Sequence, residues 1–303
     1  MLRLIDLLQL AVLSALCVLE IALWRRLPAS HLLEPLYAGL AVLVLVMAFA
    51  IRPRARRSIS LFPDLLVPIA VLLIIYETIG VSIPLVNRTW LEPALVSFDR
   101  SLFGVTASAY CQRFYNPVLL DFLHLCYFSY YFFPLSLLAI MYARQARTQY
   151  QEAVIVIGLA FYICFLLYFL FPVIGPNRNP AVRAEFSKDI WVYGGPITKL
   201  VRGFITGAET TVYDCFPSAH TAVTLLVVLL AFRYRLALRH AYTVVGLFLI
   251  ASTVVLRYHY LLDLVAGALL ALAVYWITVL TASLRRIPTK KFPQCNDTYN
   301  RDI

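Results

Sequence analysis

The residues whose types and spacing could do chemistry are two histidines and the groups beside them. His220 stands in Cys215-Phe-Pro-Ser-Ala-His220-Thr221, and His259 in Arg257-Tyr-His259-Tyr-Leu-Leu-Asp263. Asp263 follows His259 by four residues, and on a helix such positions share a face. A carboxylate there can accept the Nδ1 hydrogen of the imidazole and leave Nε2 as an attacking lone pair. Pro217 is placed to be the first helical residue of the next segment. The free N–H groups of that first turn, with the Ser218 hydroxyl, would then form an anion site. A protonated His220 beside it could donate to a departing alkoxide. An anion also needs fixed positive charge. Arg178, in Phe171-Pro-Val-Ile-Gly-Pro-Asn-Arg178, and Arg257 are the candidates, each able to grip non-bridging oxygens as a planar fork. The chemistry suggested is histidine attack on a phosphate ester.

The elements that must position these groups are membrane helices. The 303-residue chain is 62% hydrophobic and 14% charged, with a mean hydropathy of +0.80. Soluble proteins are nearer 45–50% apolar and 25% charged. Apolar segments fall at about 4–24, 32–51, 61–84, 118–142, 153–172, 213–232, 241–257 and 260–281, each close to the 20 or so residues that cross a bilayer. His220 and His259 open the sixth and eighth of these. Two spans and one turn separate them, so the chain returns to the same face and the imidazoles can meet at one depth. Arg52, Arg54, Arg56 and Arg57, Arg144 and Arg147, Arg233, Arg235 and Arg239, and Arg285, Arg286, Lys290 and Lys291 all follow even-numbered spans. Positive loops mark the cytoplasmic side. Both termini are therefore expected there, with the histidines on the outer or lumenal face. The net charge of +10 is explained by these clusters, and no nucleic-acid partner is expected.

The expected fold is an all-α polytopic bundle. Residues 1–60 would supply two additional N-terminal helices, 61–284 a six-span core, and 285–303 a polar cytoplasmic tail. The first span carries Asp6 and Glu20, which could place it at the interface instead. It lacks a small-residue cleavage site and reads as retained. On the outer side, 85–117 reads as an interfacial element, with Trp90, Phe98, Phe103 and Tyr110 suited to the headgroup layer. Segment 173–212 is a long Gly- and Pro-rich connection.

On these residues the chain resembles the type 2 phosphatidic acid phosphatase superfamily. Pro217-Ser218-Ala219-His220 matches its Pro-Ser-x-His signature in full. Its Ser-Arg-x5-His-x3-Asp signature is matched by Ser252, His259 and Asp263, with Thr253 where the arginine stands. Ser-Thr at that point is similar to the inositol phosphorylceramide synthase branch, as is Gly175-Pro176-Asn177-Arg178, an expanded Gly-Pro-Arg. The resemblance covers about 61–281. It implies that His259 forms a phosphohistidine, Asp263 orients it, His220 is the general acid, and Ser218 and Arg178 bind phosphate. Arg257 would replace the missing arginine. It also implies a lipid phosphate substrate, membrane lipid as partner, and no metal or other cofactor. Water as second nucleophile makes a phosphatase; an alcohol acceptor makes a transferase. A non-catalytic lipid-binding or transport protein is the reading from another class.

Other residues carry blander expectations. His124 reads as a core histidine, and His31 and His240 as interface residues. Asp214 is explained as a helix N-terminal carboxylate. Asp64, Glu77 and Asp99 are candidate second-substrate contacts. Tyr127, Tyr130, Tyr131, Phe132 and Phe133 read first as packing and second as a lipid-tail groove. Cys111 and Cys215 both fall on the outer side, where a disulfide between them would be allowed.

Overall fold

A computed structural model describes residues 4–27, 30–51, 62–87, 91–208 and 211–284. The expected basic positions Arg52, Arg54, Arg56, Arg57, Arg285, Arg286, Lys290 and Lys291 lie outside the described residues, as do Trp90 and the tail 285–303. Among the described residues every regular element is a helix, and the β contact is an isolated bridge between Val173 and Asp214. The all-α expectation holds.

The main helices are α1 (Leu4–Leu23), α2 (Ser30–Val46), α3 (Val67–Ile79), α4 (Glu92–Phe103), α5 (Pro117–Phe128), α6 (Phe133–Ala143), α7 (Arg147–Leu170), α8 (Pro196–Ala208), α9 (Ala219–Arg233), α10 (Arg239–Val255) and α11 (Leu261–Leu284). Apolar helices stand where all eight spans were expected, but their lengths differ. Four of them are long and apolar enough to cross a membrane: Leu4–Leu23, His31–Ile51, Arg147–Leu170 and Leu261–Leu280. The pair Pro117–Tyr131 and Phe133–Ala143 is apolar enough to make a fifth if it is one span, and is bent by 48°. The bend follows from a 3₁₀ turn at Ser129–Tyr131 and from Pro134, which has no N–H to continue the ladder. Helices α3, α9 and α10 have only 13, 15 and 17 residues. For α9 and α10 the missing turns are at the histidine end, where His220 falls in the first turn of α9 and His259 lies beyond the end of α10.

Helix α9 is the centre of the bundle, packed on α6, α7, α10 and α11. Val223, Leu226, Val227 and Leu230 along it are fully buried against Leu137, Ala153, Val156 and Leu249. A salt bridge from Arg233 Nε to Glu152 Oε1 (3.0 Å) fixes the basic ends of α9 and α7 together. At the opposite end, Cys215 N donates to the Val173 carbonyl and Ser218 N to the Asp263 carbonyl. The histidine end is thus opposite the Arg233 end. Helix α1 pairs with α2 and also meets α3 and α7. Its acids face protein: Glu20 accepts from Ser82 Oγ (2.7 Å) and Asp6 is buried. This is how polar groups are tolerated on an apolar helix.

On the histidine side, buried acids pin the long connections. Asp99 accepts from Ala107 N (3.0 Å) and Leu261 N (3.2 Å), and Glu92 from Ile174 N (2.7 Å). Asp121 accepts from Thr198 N (2.8 Å) and Thr198 Oγ1 (2.7 Å), docking α8 on α5. Asp99 therefore has a structural task and does not serve as the second-substrate contact considered from sequence. Glu185 accepts from Thr106 N and Thr106 Oγ1, both at 2.7 Å, and from Arg100. Burial raises its carboxyl, but the two Thr106 bonds and Arg100 outweigh that and hold it below the usual range. A depressed folded value stabilises above the unfolded pKa near 4.3 and is lost as pH falls through the folded value. Arg100 is 47% exposed, so the Thr106 bonds carry most of the effect. Glu185→Gln is expected to cost about 1–2 kcal/mol at pH 7. Unfolding in detergent should show that difference shrinking as pH drops below about 4.

Candidate active site

The site is built from three short stretches that meet at the ends of α9, α10 and α11 opposite Arg233. Helix α10 closes with the Arg257 N–H on the Val254 carbonyl and the Tyr258 N–H on the Thr253 carbonyl. Arg257 occupies the left-handed cap position of this motif, at φ +72°. The Thr253 carbonyl also accepts from His259 N at 3.1 Å. Thr253 thus fixes the His259 backbone, while its hydroxyl turns back to the Ile250 carbonyl.

His259 lies before helix α11, not on it. Tyr260 caps the helix, and Asp263 in the first turn accepts the Tyr260 N–H at 2.7 Å, half of a capping box. The expected His259–Asp263 pairing is present, with Nδ1 and Oδ2 at 3.4 Å, but it crosses the cap instead of running along a helix face. The same oxygen accepts from Cys215 Sγ at 2.9 Å. Cys215 and Cys111 are both free thiols, so no disulfide joins them. Cys215, His259 and Asp263 offer ligand atoms within 4.8 Å of one another, the metal-ligating constellation among the described residues.

Pro217 is not the first helical residue. Ser218 is the N-cap, and its hydroxyl accepts from Thr221 N at 3.2 Å. That bond satisfies one of the orphan donors of α9 and leaves the buried hydroxyl turned into the helix end. His220 follows in the first turn. Its Nδ1 is 3.2 Å from His259 Nε2. With the His259 Nδ1 hydrogen directed at Asp263, Nε2 is an acceptor and His220 Nδ1 is the donor. Tyr127 and Tyr130 flank the His220 ring, with centroids 4.9 and 4.2 Å away. The aromatic run is therefore partly site wall.

The two histidines sit where two cavities meet. One, of about 280 Å³, is polar and includes Arg178, Arg202, Arg257, Tyr127, His220 and His259 in its walls. The other, of about 450 Å³, is largely apolar and lies among residues of α3, α6 and α7, including Leu72, Leu135, Val154 and Phe161. His220 and Asp214 line both; His259 lines only the first. Asp214 accepts from Tyr76 OH at 2.6 Å and does not cap α9, so the helix-terminus explanation for it fails. Asp64 and Glu77 line the apolar cavity.

Of the expected residues, the fold brings His220, His259, Asp263, Arg178 and Arg257 to one place, and leaves Ser218 behind the cap. Arg178 Nη1 donates to the Thr211 carbonyl at 3.3 Å. His124 is buried under α8, with Nδ1 2.7 Å from the Leu120 carbonyl and 3.3 Å from Thr198 Oγ1, as expected of a core histidine. His31 and His240 make edge contacts with Trp24 and Phe232. Sequence reading missed Cys215 as a partner of Asp263, and Arg202 altogether. The signal for Arg202 was Ile197, Val201 and Ile205 at helical spacing inside a segment read as connection, with Arg202 one turn after Thr198.

Gly175 lets the Arg178 loop reach the site. A Cβ there would stand 2.5 Å from the Tyr258 carbonyl oxygen, and Asn177 N donates to the Arg257 carbonyl at 2.9 Å. Gly175→Ala must push these two loops apart. It is expected to cost about 1–3 kcal/mol, measurable as a lower unfolding temperature in detergent.

Residues 93–277 match the family described as the PAP2 superfamily. No curated protein and no solved structure matches the chain.

Proposed function

We propose a function from one premise: the chain belongs to the PAP2 superfamily. Membership and the long apolar helices make it an integral membrane protein of phosphatase type, directed at lipid phosphate. Our finer reading is that it cleaves a lipid phosphate ester through a phosphohistidine on His259, without a metal.

The observation that carries this reading is the position of His220 between the two cavities. A lipid phosphate has a charged phosphorus centre and an apolar tail joined by an ester oxygen. The arginine-lined cavity suits the first and the apolar cavity the second. The ester oxygen then falls near His220, the histidine common to both. His259 faces only the phosphate side. In the proposed reaction His259 Nε2 attacks phosphorus, the ester P–O bond breaks, and His220 gives its proton to the departing alkoxide. Asp263 holds the Nδ1 hydrogen and stabilises the charge that develops on the ring. Water or an acceptor alcohol then attacks the phosphohistidine, with His220 taking the proton.

The present contact between His220 Nδ1 and His259 Nε2 must open to admit phosphorus. Substrate therefore replaces a hydrogen bond between the two rings, and the closed pair is the resting state. Arg178 is proposed as a phosphate ligand, and Arg257 as a second. The active face is proposed to be outer or lumenal, opposite the Arg144, Arg147, Arg233 and Arg239 turns. Transfer to an alcohol, as in inositol phosphorylceramide synthase-like proteins, is the second reading; it is favoured by Thr253 standing where the phosphatase signature has arginine.

The test uses full-length protein in detergent with ³²P-labelled phosphatidic acid. Phosphate release should persist in EDTA, fall to background in His259→Ala, and drop at least about a hundredfold in His220→Ala. Label that moves only when inositol, ethanolamine or glycerol is supplied identifies the transferase. Full turnover in His259→Ala removes the histidine mechanism and returns the lipid-binding reading to first place.

A further inference from the structure

We infer that Arg202 and Arg257 form a paired clamp for a phosphate-type oxyanion in the polar cavity, with Arg202 a substrate-contacting residue. The inference rests on the reading of that cavity as the phosphate site.

Both side chains are more than nine-tenths buried, at 9% and 5% exposure. Both line the cavity that holds His259. Arg202 Nε and Nη1 have no hydrogen-bond partner, and neither does Arg257 Nε. Arg257 Nη2 donates to the Lys188 carbonyl, and its guanidinium lies 3.8 Å from the Phe186 ring centroid. The Arg202 guanidinium lies 5.1 Å from the Trp191 centroid. These contacts orient the two forks without neutralising them. Among the described residues no carboxylate forms a salt bridge with either; beside Arg257 stand the Tyr115 side chain and the charge of Arg202, with Asp189 acting on it only from a distance.

A buried guanidinium with unsatisfied donors is costly, and two of like charge near each other cost more. Arginines in a core are normally paired. A fold that keeps two unpaired at one cavity wall is arranged for an anion that comes and goes. The planar fork fits the tetrahedral oxyanion of a phosphate, by two parallel N–H donations. The segment order supports the same view. Arg202 is carried by α8, which Asp121 fastens to α5 through Thr198, one helical turn before Arg202. Arg257 is carried by the cap that also fixes His259. The two forks are thus held on separately anchored elements that line one cavity.

Two sources of the oxyanion are distinguished by the assay. Thermal unfolding of full-length His259→Ala protein in detergent is followed with inorganic phosphate, against chloride at equal ionic strength. A second arm replaces phosphate with micellar phosphatidic acid. Phosphate should raise the unfolding temperature saturably. Adding Arg202→Met should weaken the apparent affinity roughly ten- to a hundredfold, while Arg202→Lys keeps part of it. In chloride alone, Arg202→Met should unfold at the same or a higher temperature, because an unpaired buried charge is gone. An arginine with a purely structural task would give the opposite sign. If only the phosphatidic acid arm responds, and responds through Arg202, the clamp stands and its ligand is the lipid headgroup. An equal response of Arg202→Met and its parent, or no response to either ligand in the parent, overturns the clamp. Phosphate binding through Arg202 in a wild-type chain that turns nothing over sinks the enzyme reading and leaves the clamp. Turnover with an unchanged KM in Arg202→Met does the reverse.

Discussion

Asp263 is a carboxylate with no exposed surface, and two stretches of the chain, 215–218 and 259–260, converge on it. Its Oδ2 takes the Tyr260 N–H, the Cys215 thiol and the Nδ1 side of His259, while its backbone carbonyl takes Ser218 N–H. The carboxylate therefore closes the N-terminus of α11, seats the strand that leads into α9, and aims His259. The Asp263 backbone sets the distance between the caps of α9 and α11. That distance is what puts His220 and His259 within hydrogen-bond reach. A buried charge is expensive unless it is multiply bonded, and here the bonds that offset the cost are the ones that assemble the site.

The surrounding acids extend the same logic outward. Asp99 reaches Leu261 N, next to the cap; Glu92 holds Ile174, at the start of the loop that carries Arg178; Asp121 docks α8. Each accepts backbone N–H groups that no helix ladder satisfies, from the first turns of α11 and α8 and from Ile174 in a connection. A long connection between membrane helices would otherwise leave its backbone donors unpaired. The price of this arrangement is that α9 and α10 stop short at the histidine end. The polar floor of the site thus sits within the bundle, at the depth where an apolar cavity can join it.

Much of the chemistry was legible because it depends on residue type and local spacing. Two histidines at the starts of two parallel spans lie at one end of the bundle, and a carboxylate four residues on must be near. Helix content followed from apolar composition alone. What could not be read was decided by termini. Spacing placed His259 and Asp263 on a helix face, but the cap at Tyr260 intervenes, so their contact depends on a turn geometry that periodicity does not encode. Pro217 suggested the helix start, but the helix begins two residues later at Ala219 with Ser218 as its cap, and the Ser218 hydroxyl went to Thr221 instead of toward a ligand. Cys215 looked like a small outer-face thiol because its partner lies 48 residues away in sequence. Arg202 was hidden inside a segment whose glycines and prolines outweighed its amphipathic stretch.

The placement of the histidines also bears on hydrolysis against transfer. His220 is shared between cavities and His259 is not. In the proposed reaction the tail-bearing alcohol leaves through the apolar side, and the next nucleophile arrives where His220 can take its proton. From the apolar side that means another lipid alcohol; from the arginine side it means water or a polar alcohol. The arginine-lined cavity, at about 280 Å³, is near the lower limit for small-molecule sites. Its walls carry Asn177, Thr206 and Thr211 beside the arginines, groups able to orient hydroxyls. The apolar cavity presents Asp64, Tyr76 and Glu77 in the same way. On the proposed mechanism, acceptor choice is a competition between two approaches to one histidine, His220, held between Tyr127 and Tyr130.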